Sequence, residues 1–268
     1  MDQLRLLSRD SVLVGGTAIT VMLGSAVTSR KSYPCSPDID VAMSEQDVAK
    51  LGRRLNETAT LHNMVDHVHI EMGSGISVRK RLSPFTFLRF GESDMDIFTP
   101  QTGIGPISVD DRLFGNAVEY TLGDLKLKVA QPSFIIATTM NPLAATDHRI
   151  MRSFLIIFDF SAKCGNDALF EGVMKPAIGY MKEGIEKVRD KVDEIRSHNG
   201  EKSVFGHILS NHAKNYTRYL RYLTTSLPNR LEVQTGKIAN FATRMGIGTE
   251  RKNEELVAGV EKLLRASG

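Results

Sequence analysis

Cysteine is scarce in these 268 residues. Cys35 and Cys164 are too few for a disulfide framework and lack the spacing of a thiolate metal site, which points to a reducing, cytoplasmic compartment. Long apolar runs are missing too. The richest stretch, 154–160, falls far short of the roughly 18 residues that a membrane span needs, so no membrane partner is expected. The opening MDQLRLLSRD has neither the basic start nor the apolar core of a secretory signal, so no leader is expected either. Net charge is small, +3 from 34 Lys and Arg against 31 Asp and Glu, too weak to argue for nucleic acid by itself. There is no internal repeat and no low-complexity tract, which leaves no sign of a solenoid or a disordered arm.

What is present is ordinary globular composition, 41% hydrophobic and 24% charged, in a chain long enough to bury a full core. Charge divides unevenly along it. Residues 1–160 carry 16 Lys and Arg against 18 Asp and Glu, and residues 161–268 carry 18 against 13. An acidic half followed by a basic half suits a polyanionic substrate, as a hint only.

Hydrophobic periodicity predicts an α/β fold: a small mixed, twisted sheet flanked by helices, then a mainly helical C-terminal region. Val12, Leu13 and Val14 read as a strand that turns at Gly15 and Gly16 into a helix over 17–23. Residues 39–43 read as the next strand. Ser44 opens a helix to about Glu57, because a Ser-x-x-Asp box lets Ser44 bond the amide of Asp47. Further strands are expected at 65–72, 85–90, 95–98 and 118–122, with helices at 133–140 and 147–160. From about Asn166 only helices follow, at 167–197, 203–226, 231–245 and 249–266, broken at Gly200, Pro228, Gly246 and Gly248. Two domains are expected, a catalytic one over 1–162 and a helical one over 163–268 that selects the substrate.

Three acidic residues stand where a charge is costly. Asp38 and Asp40 are two apart, so on a strand their carboxylates leave one face. Asp96 interrupts the apolar run Met95, Ile97, Phe98. If the strand of Asp96 lies beside that of Asp40, the carboxylates converge and repel unless divalent cations sit between them. Hard oxygen donors favour Mg²⁺ or Mn²⁺. Gly15, Gly16 and Thr17, between a strand and a helix, let backbone amides approach a triphosphate. Thr17 or Ser36 can add a hydroxyl donor.

In combination, VLVGGTAITVML, Arg30, SPDIDVAM and MDIF resemble the signature of the DNA polymerase β-like nucleotidyltransferase superfamily. The spacing is similar to that of the AbiEii-type branch, whose pattern reads roughly GGTAL…R.S.DIDL. Gly15, Gly16, Thr17, Ala18, Arg30, Ser36, Asp38, Ile39 and Asp40 match it, and the resemblance covers about residues 11–43 and 94–98. It implies a transferase that moves a nucleoside monophosphate from an NTP, ATP among the candidates, to an acceptor hydroxyl and releases pyrophosphate. It further implies that Asp38 and Asp40 hold the metals, that Asp96 holds the catalytic metal and accepts the hydroxyl proton, and that Gly15, Gly16, Thr17, Arg30 and Ser36 contact the nucleotide. The acceptor stays open among RNA (tRNA included), protein and small molecule. A cognate protein partner, as in a toxin–antitoxin pair, stays open as well. The branch also carries a helical Lys and then an Arg and Asp segment. Asp147, His148 and Arg149 resemble that segment, but the helix before them reads FIIATTMNP and has no Lys. Lys126 or Lys128 could reach the phosphates instead.

Other features have plainer explanations. Asp94 shares the strand face of Asp96 but lies nearer the Gly91 turn, where a solvated or supporting role fits. His62, His67 and His69 lack the partners of a zinc site. Asp110 and Asp111 read as a turn, and Val78, Arg79, Lys80 and Arg81 by default as a solvated basic loop, with contact to the phosphates of an NTP or RNA as the alternative. Lys214, Arg218 and Arg221 form a basic helical stripe that could track a nucleic-acid backbone, although an amphipathic bundle helix with its charged face in water is the preferred explanation. Two rival functions remain: a catalytically silent nucleotide- or nucleic-acid-binding module on the same fold, and a phosphohydrolase on another.

Overall fold

The computed structural model describes residues 7, 10–24, 39–54, 60–64, 68–72, 76–80, 85–90, 93–101, 103–104, 107–140, 147–199 and 227–266. The chain divides into two compact units, Met1–Met22 with Pro34–Gln131, and Leu23–Tyr33 with Pro132–Gly268. The join between their main bodies falls at Gln131–Pro132.

The first unit is built on a mixed seven-stranded sheet. In chain order its strands are β1 (Val12–Val14), β2 (Ile39–Ala42), β3 (Thr60–Met64), β6 (Phe85–Phe90), β7 (Ser93–Phe98), β8 (Val118–Leu122) and β9 (Leu125–Val129). Across the sheet they run β3-β6-β7-β2-β1-β9-β8. Two neighbouring pairs are parallel, β2 with β7 and β1 with β9, and the rest are antiparallel. A separate hairpin, β4 (Val68–Met72) with β5 (Ile76–Lys80), is inserted between β3 and β6. The helices described in this unit are α1 (Gly15–Leu23), α2 (Glu45–Arg54) and α3 (Asp111–Gly115).

Alternation fixes which residues of β2 and β7 go inward. Val41, Met43, Met95 and Ile97 form one buried cluster, with Leu7, Ile39 and Val48 packed against it. Because strand side chains alternate, Asp40 and Asp96 take the opposite face. The Met43 amide donates to the Phe98 carbonyl at 2.9 Å and extends this pairing by one bond. α2 begins as its sequence box requires: the Asp47 amide donates to Ser44 Oγ at 3.1 Å, and Ser44 Oγ donates to the Asp47 carboxylate at 2.8 Å. Asp110, read as a turn residue, instead caps α3 by accepting from the Arg112 amide at 3.1 Å.

In the second unit every described element is helical: α4 (Pro132–Thr139), α5 (Asp147–Cys164), α6 (Asn166–Leu169), a π-helical turn (Phe170–Met174), α7 (Lys175–Asn199), α8 (Leu227–Arg244) and α9 (Glu250–Ala266). Pro132 starts α4, where a missing amide costs nothing. Phe134, Phe154 and Phe158 are fully buried, and the Phe134 ring meets Tyr180 edge-on at 5.5 Å. Asn253, 2% exposed, ties the α8–α9 turn by donating to the Ile247 carbonyl at 3.0 Å and to Thr243 Oγ1 at 3.2 Å. No helix among the described residues is long and apolar enough to cross a membrane.

Several expected boundaries move. The strand expected at 65–72 is β4 over Val68–Met72, which pairs with β5, with 65–67 outside the described residues. β3, β5 and β9 were not expected. The long helix expected at 167–197 is interrupted by the π turn. α8 begins at Leu227 because Pro228 falls in its first turn, where proline is tolerated. The expected helix 203–226, with Lys214, Arg218 and Arg221, lies outside the described residues.

Candidate active site

The acidic face gathers where β1 ends and β2 and β7 begin. Asp40 on β2 pairs in register with Asp96 on β7, and Ile39 with Met95, Val41 with Ile97 and Ala42 with Phe98 flank that pair. Adjacent strands lie about 4.8 Å apart, so the two aspartates are next-door neighbours on one face. On the other side of β2, Val14 is the antiparallel partner of Asp40. On the other side of β7, Phe87 takes the position opposite Asp96. Both aspartates are half-buried, whereas Val14 and Val41 beside them are closed off from solvent.

Gly15 follows Val14 and opens α1, and two constraints act on it. Its φ is +60°, a conformation that costs an L side chain roughly 1–2 kcal/mol. A Cβ there would also stand 2.0 Å from Asp40 Oδ2, 2.7 Å from Cγ and 2.9 Å from Cβ. The Asp40 carboxylate therefore rests against the glycine backbone at the amino end of a nine-residue helix, where unpaired amides favour negative charge. Gly16 is buried, and its carbonyl accepts from Thr20 Oγ1 at 3.2 Å; Thr17 is half-buried on the same first turn.

The structure thus brings together five of the eight sequence-derived site residues: Gly15, Gly16, Thr17, Asp40 and Asp96. Arg30, Ser36 and Asp38 lie outside the described residues, Asp38 immediately before β2. Among the remaining candidates, Asp94 is opposite Arg89 of β6. His62 belongs to the large sheet and His69 to the separate hairpin, while His67 lies outside the described residues. Lys126 and Lys128 stand away from the bend. Lys128 pairs with Val12, at the start of β1, and its Nζ is 3.2 Å from an Asp10 carboxylate oxygen. Lys126 Nζ is 3.4 Å from Glu119.

Two like charges about 5 Å apart repel by roughly 3 kcal/mol at an effective dielectric of about 20. A divalent cation between them reverses the sign of that term. Among the described residues no three His, Cys, Asp or Glu side chains gather as a metal group. The donor chemistry nevertheless fits Mg²⁺ or Mn²⁺, which bind through one or two carboxylates and keep waters and substrate phosphates as their other ligands. Asp40 and Asp96 supply such a pair.

Sequence reasoning missed the packing of Gly15 on Asp40, because the partners are 25 positions apart and no local pattern links them. A comparison of the chain with protein-family models finds no match, and neither does one with curated proteins.

Proposed function

We propose that the protein is a metal-dependent nucleotidyltransferase that moves a nucleoside monophosphate from an NTP to an acceptor hydroxyl and releases pyrophosphate. The observation that carries the reading is the in-register pair of Asp40 and Asp96 beside the Gly15 bend. Two hard anionic ligands stand next to an amide-rich helix start, which is what a metal–triphosphate complex needs on its two sides.

In this reading Asp40 and Asp96 would hold a Mg²⁺ or Mn²⁺ ion, to which Asp38 would add a third carboxylate. When bound, the metal neutralises charge on the reacting phosphate and the departing pyrophosphate. The amides of Gly15, Gly16 and Thr17 hold phosphate oxygens, with Arg30 and Ser36 completing the contacts. Asp96 takes the proton of the acceptor hydroxyl as its oxygen bonds to the α-phosphorus. The bond from the α-phosphorus to the bridging oxygen breaks, and pyrophosphate leaves with that electron pair. The helical C-terminal region selects the acceptor, which is an RNA such as tRNA, a protein or a small molecule.

The test is incubation of the full chain with each α-labelled NTP, Mg²⁺ or Mn²⁺, and acceptors including total tRNA. A labelled acceptor with pyrophosphate released supports the reading and identifies the acceptor class. NTP binding without transfer assigns the chain to a silent binding module, and release of orthophosphate assigns it to a phosphohydrolase.

A further inference from the structure

We infer that the open edge of β8 is a self-association surface, on which a second copy of this chain adds its own β8 antiparallel to the first. Among the described residues β8 closes one end of the seven-stranded sheet and pairs on one side alone, with β9. Open edges of this kind are ordinarily guarded by lysine, proline or a bulge. β8 reads VEYTL and has no lysine or proline, and its register with β9 runs unbroken from Val118 to Leu122, so it has no bulge. Its charge is turned back into its own hairpin: Glu119 Oε1 lies 3.4 Å from Lys126 Nζ of β9. Val118, at 43%, is the exposed large apolar side chain among the described residues.

The hairpin turn decides which backbone groups face outward. Gly123 and Asp124 make a two-residue loop, with Gly123 at φ +64°, so Leu122 and Leu125 form a hydrogen-bonded pair. Such pairs alternate along an antiparallel ladder, so Tyr120 and Val118 also direct their amides and carbonyls to β9. The amides and carbonyls of Glu119 and Thr121 point the other way, to the open edge.

Register and charge then select a second copy as the occupant. Outward residues must meet outward residues, which leaves two-fold arrangements centred on Glu119, Tyr120 or Thr121. Centring on Glu119 sets like charges directly opposite each other, which is destabilising. Centring on Thr121 leaves Val118 and Glu119 without strand partners. Centring on Tyr120 pairs the whole strand: Val118 meets Leu122 of the copy, Glu119 meets Thr121, and Tyr120 meets its counterpart. Each Glu119 exchanges amide and carbonyl bonds with Thr121 of the copy, twice by symmetry. The two Tyr120 residues then form a non-hydrogen-bonded pair, the place in a ladder where side chains stand closest and aromatic pairs contribute. A strand pair of this length buries less than a standard interface, so dimer and monomer exchange with concentration. The plain alternative is a hydrated edge on a chain that stays monomeric.

The two are separated by sedimentation velocity of the full chain from micromolar to near-millimolar concentration, with each variant melted at the dilute end. The wild type should pass from monomer to dimer as concentration rises. Thr121→Glu places a carboxylate opposite Glu119 of the copy but level with Lys126 of its own hairpin. Dimerisation should therefore weaken at least about tenfold with no loss of melting temperature. Thr121→Pro removes an outward amide and nothing from the β9 ladder, and should weaken the dimer similarly. Exchanging the two residues, Glu119→Thr with Thr121→Glu, again sets each carboxylate opposite a threonine and should restore the wild-type dimer. A wild type that stays monomeric throughout would overturn the inference. So would a Thr121→Glu chain that dimerises like the wild type, or an exchanged chain that dimerises no better than Thr121→Glu. Should Thr121→Pro fail to fold, Thr121→Glu and the exchanged chain decide the point. No nucleotide enters the assay, so its outcome is independent of the proposed reaction.

Discussion

Gly15 and Asp40 are in such close contact that a single added methyl group would lie 2.0 Å from the Asp40 carboxylate. Gly15→Ala therefore acts twice, through a φ of +60° and through displacement of a metal-ligand candidate. The backbone term costs about 1–2 kcal/mol of stability. A ligand shifted by about 1 Å costs on the order of 100-fold in rate. Melting and label-transfer assays on one preparation check both. A variant as active as the wild type would show that Asp40 has no fixed place in the reaction.

Asp94 and Asp96 share a face of β7 but differ in their neighbours. Asp96 is level with Asp40, whereas Asp94 is level with Arg89. Asp96→Asn is expected to lower nucleotidyl transfer by at least about 100-fold, the scale of losing a group that stabilises developing charge. Asp94→Asn is expected to cost less than about tenfold. Single-turnover rates at saturating NTP measure both, and equal losses would remove the distinction drawn from register.

The cap of α3 gives a pH dependence. Partial burial opposes ionisation of Asp110, but hydrogen bonds from Arg112 and its charge, with the Arg112 and Leu113 amides, outweigh it and hold the carboxyl below its ordinary 3.8. Since the folded value is the lower one, the stabilisation is fully present above 3.8 and disappears as pH falls through the folded value. Asp110→Asn should therefore melt slightly below the wild type at pH 7, with the gap closing below pH 3.8. Melting curves from pH 2 to pH 7 test this; a gap that widened in acid would reverse the assignment.

Buried hydroxyls link α4 to α5. Thr139 Oγ1 lies 2.7 Å from the Ile135 carbonyl, to which it donates, and 2.6 Å from Ser153 Oγ. Thr139→Val keeps the shape and removes the hydroxyl, at an expected cost of about 1–3 kcal/mol. Adding Ser153→Ala should cost less than the two single changes combined, because they share one interaction. Urea denaturation of the four variants gives the coupling, and strict additivity would rule it out.

How far the sequence carried the fold depended on whether a signal was local. Val12–Val14, Phe85–Phe90 and Val118–Leu122 have the expected bounds, each a β-rich run followed closely by glycine. β9 was equally legible in principle: Leu125, Leu127 and Val129 alternate with lysines after a two-residue Gly123–Asp124 turn. The π turn at Phe170–Met174 left no such trace, since its residues read as ordinary helix in sequence. At the site, sequence supplied the carboxylates and the paired glycines. It could not supply the pairing of β2 with β7, which joins residues 56 positions apart and is set by Met95 and Ile97 entering the core with Val41.

The most direct measurement is a Mn²⁺ titration followed by electron paramagnetic resonance on the wild type, Asp40→Asn, Asp96→Asn and the double variant. Two carboxylates holding one ion should each abolish the tightest Mn²⁺ when neutralised, and the double variant should bind no worse than either single one. Asp96→Asn binding Mn²⁺ as tightly as the wild type would contradict a shared ion and remove the basis for the proposed reaction.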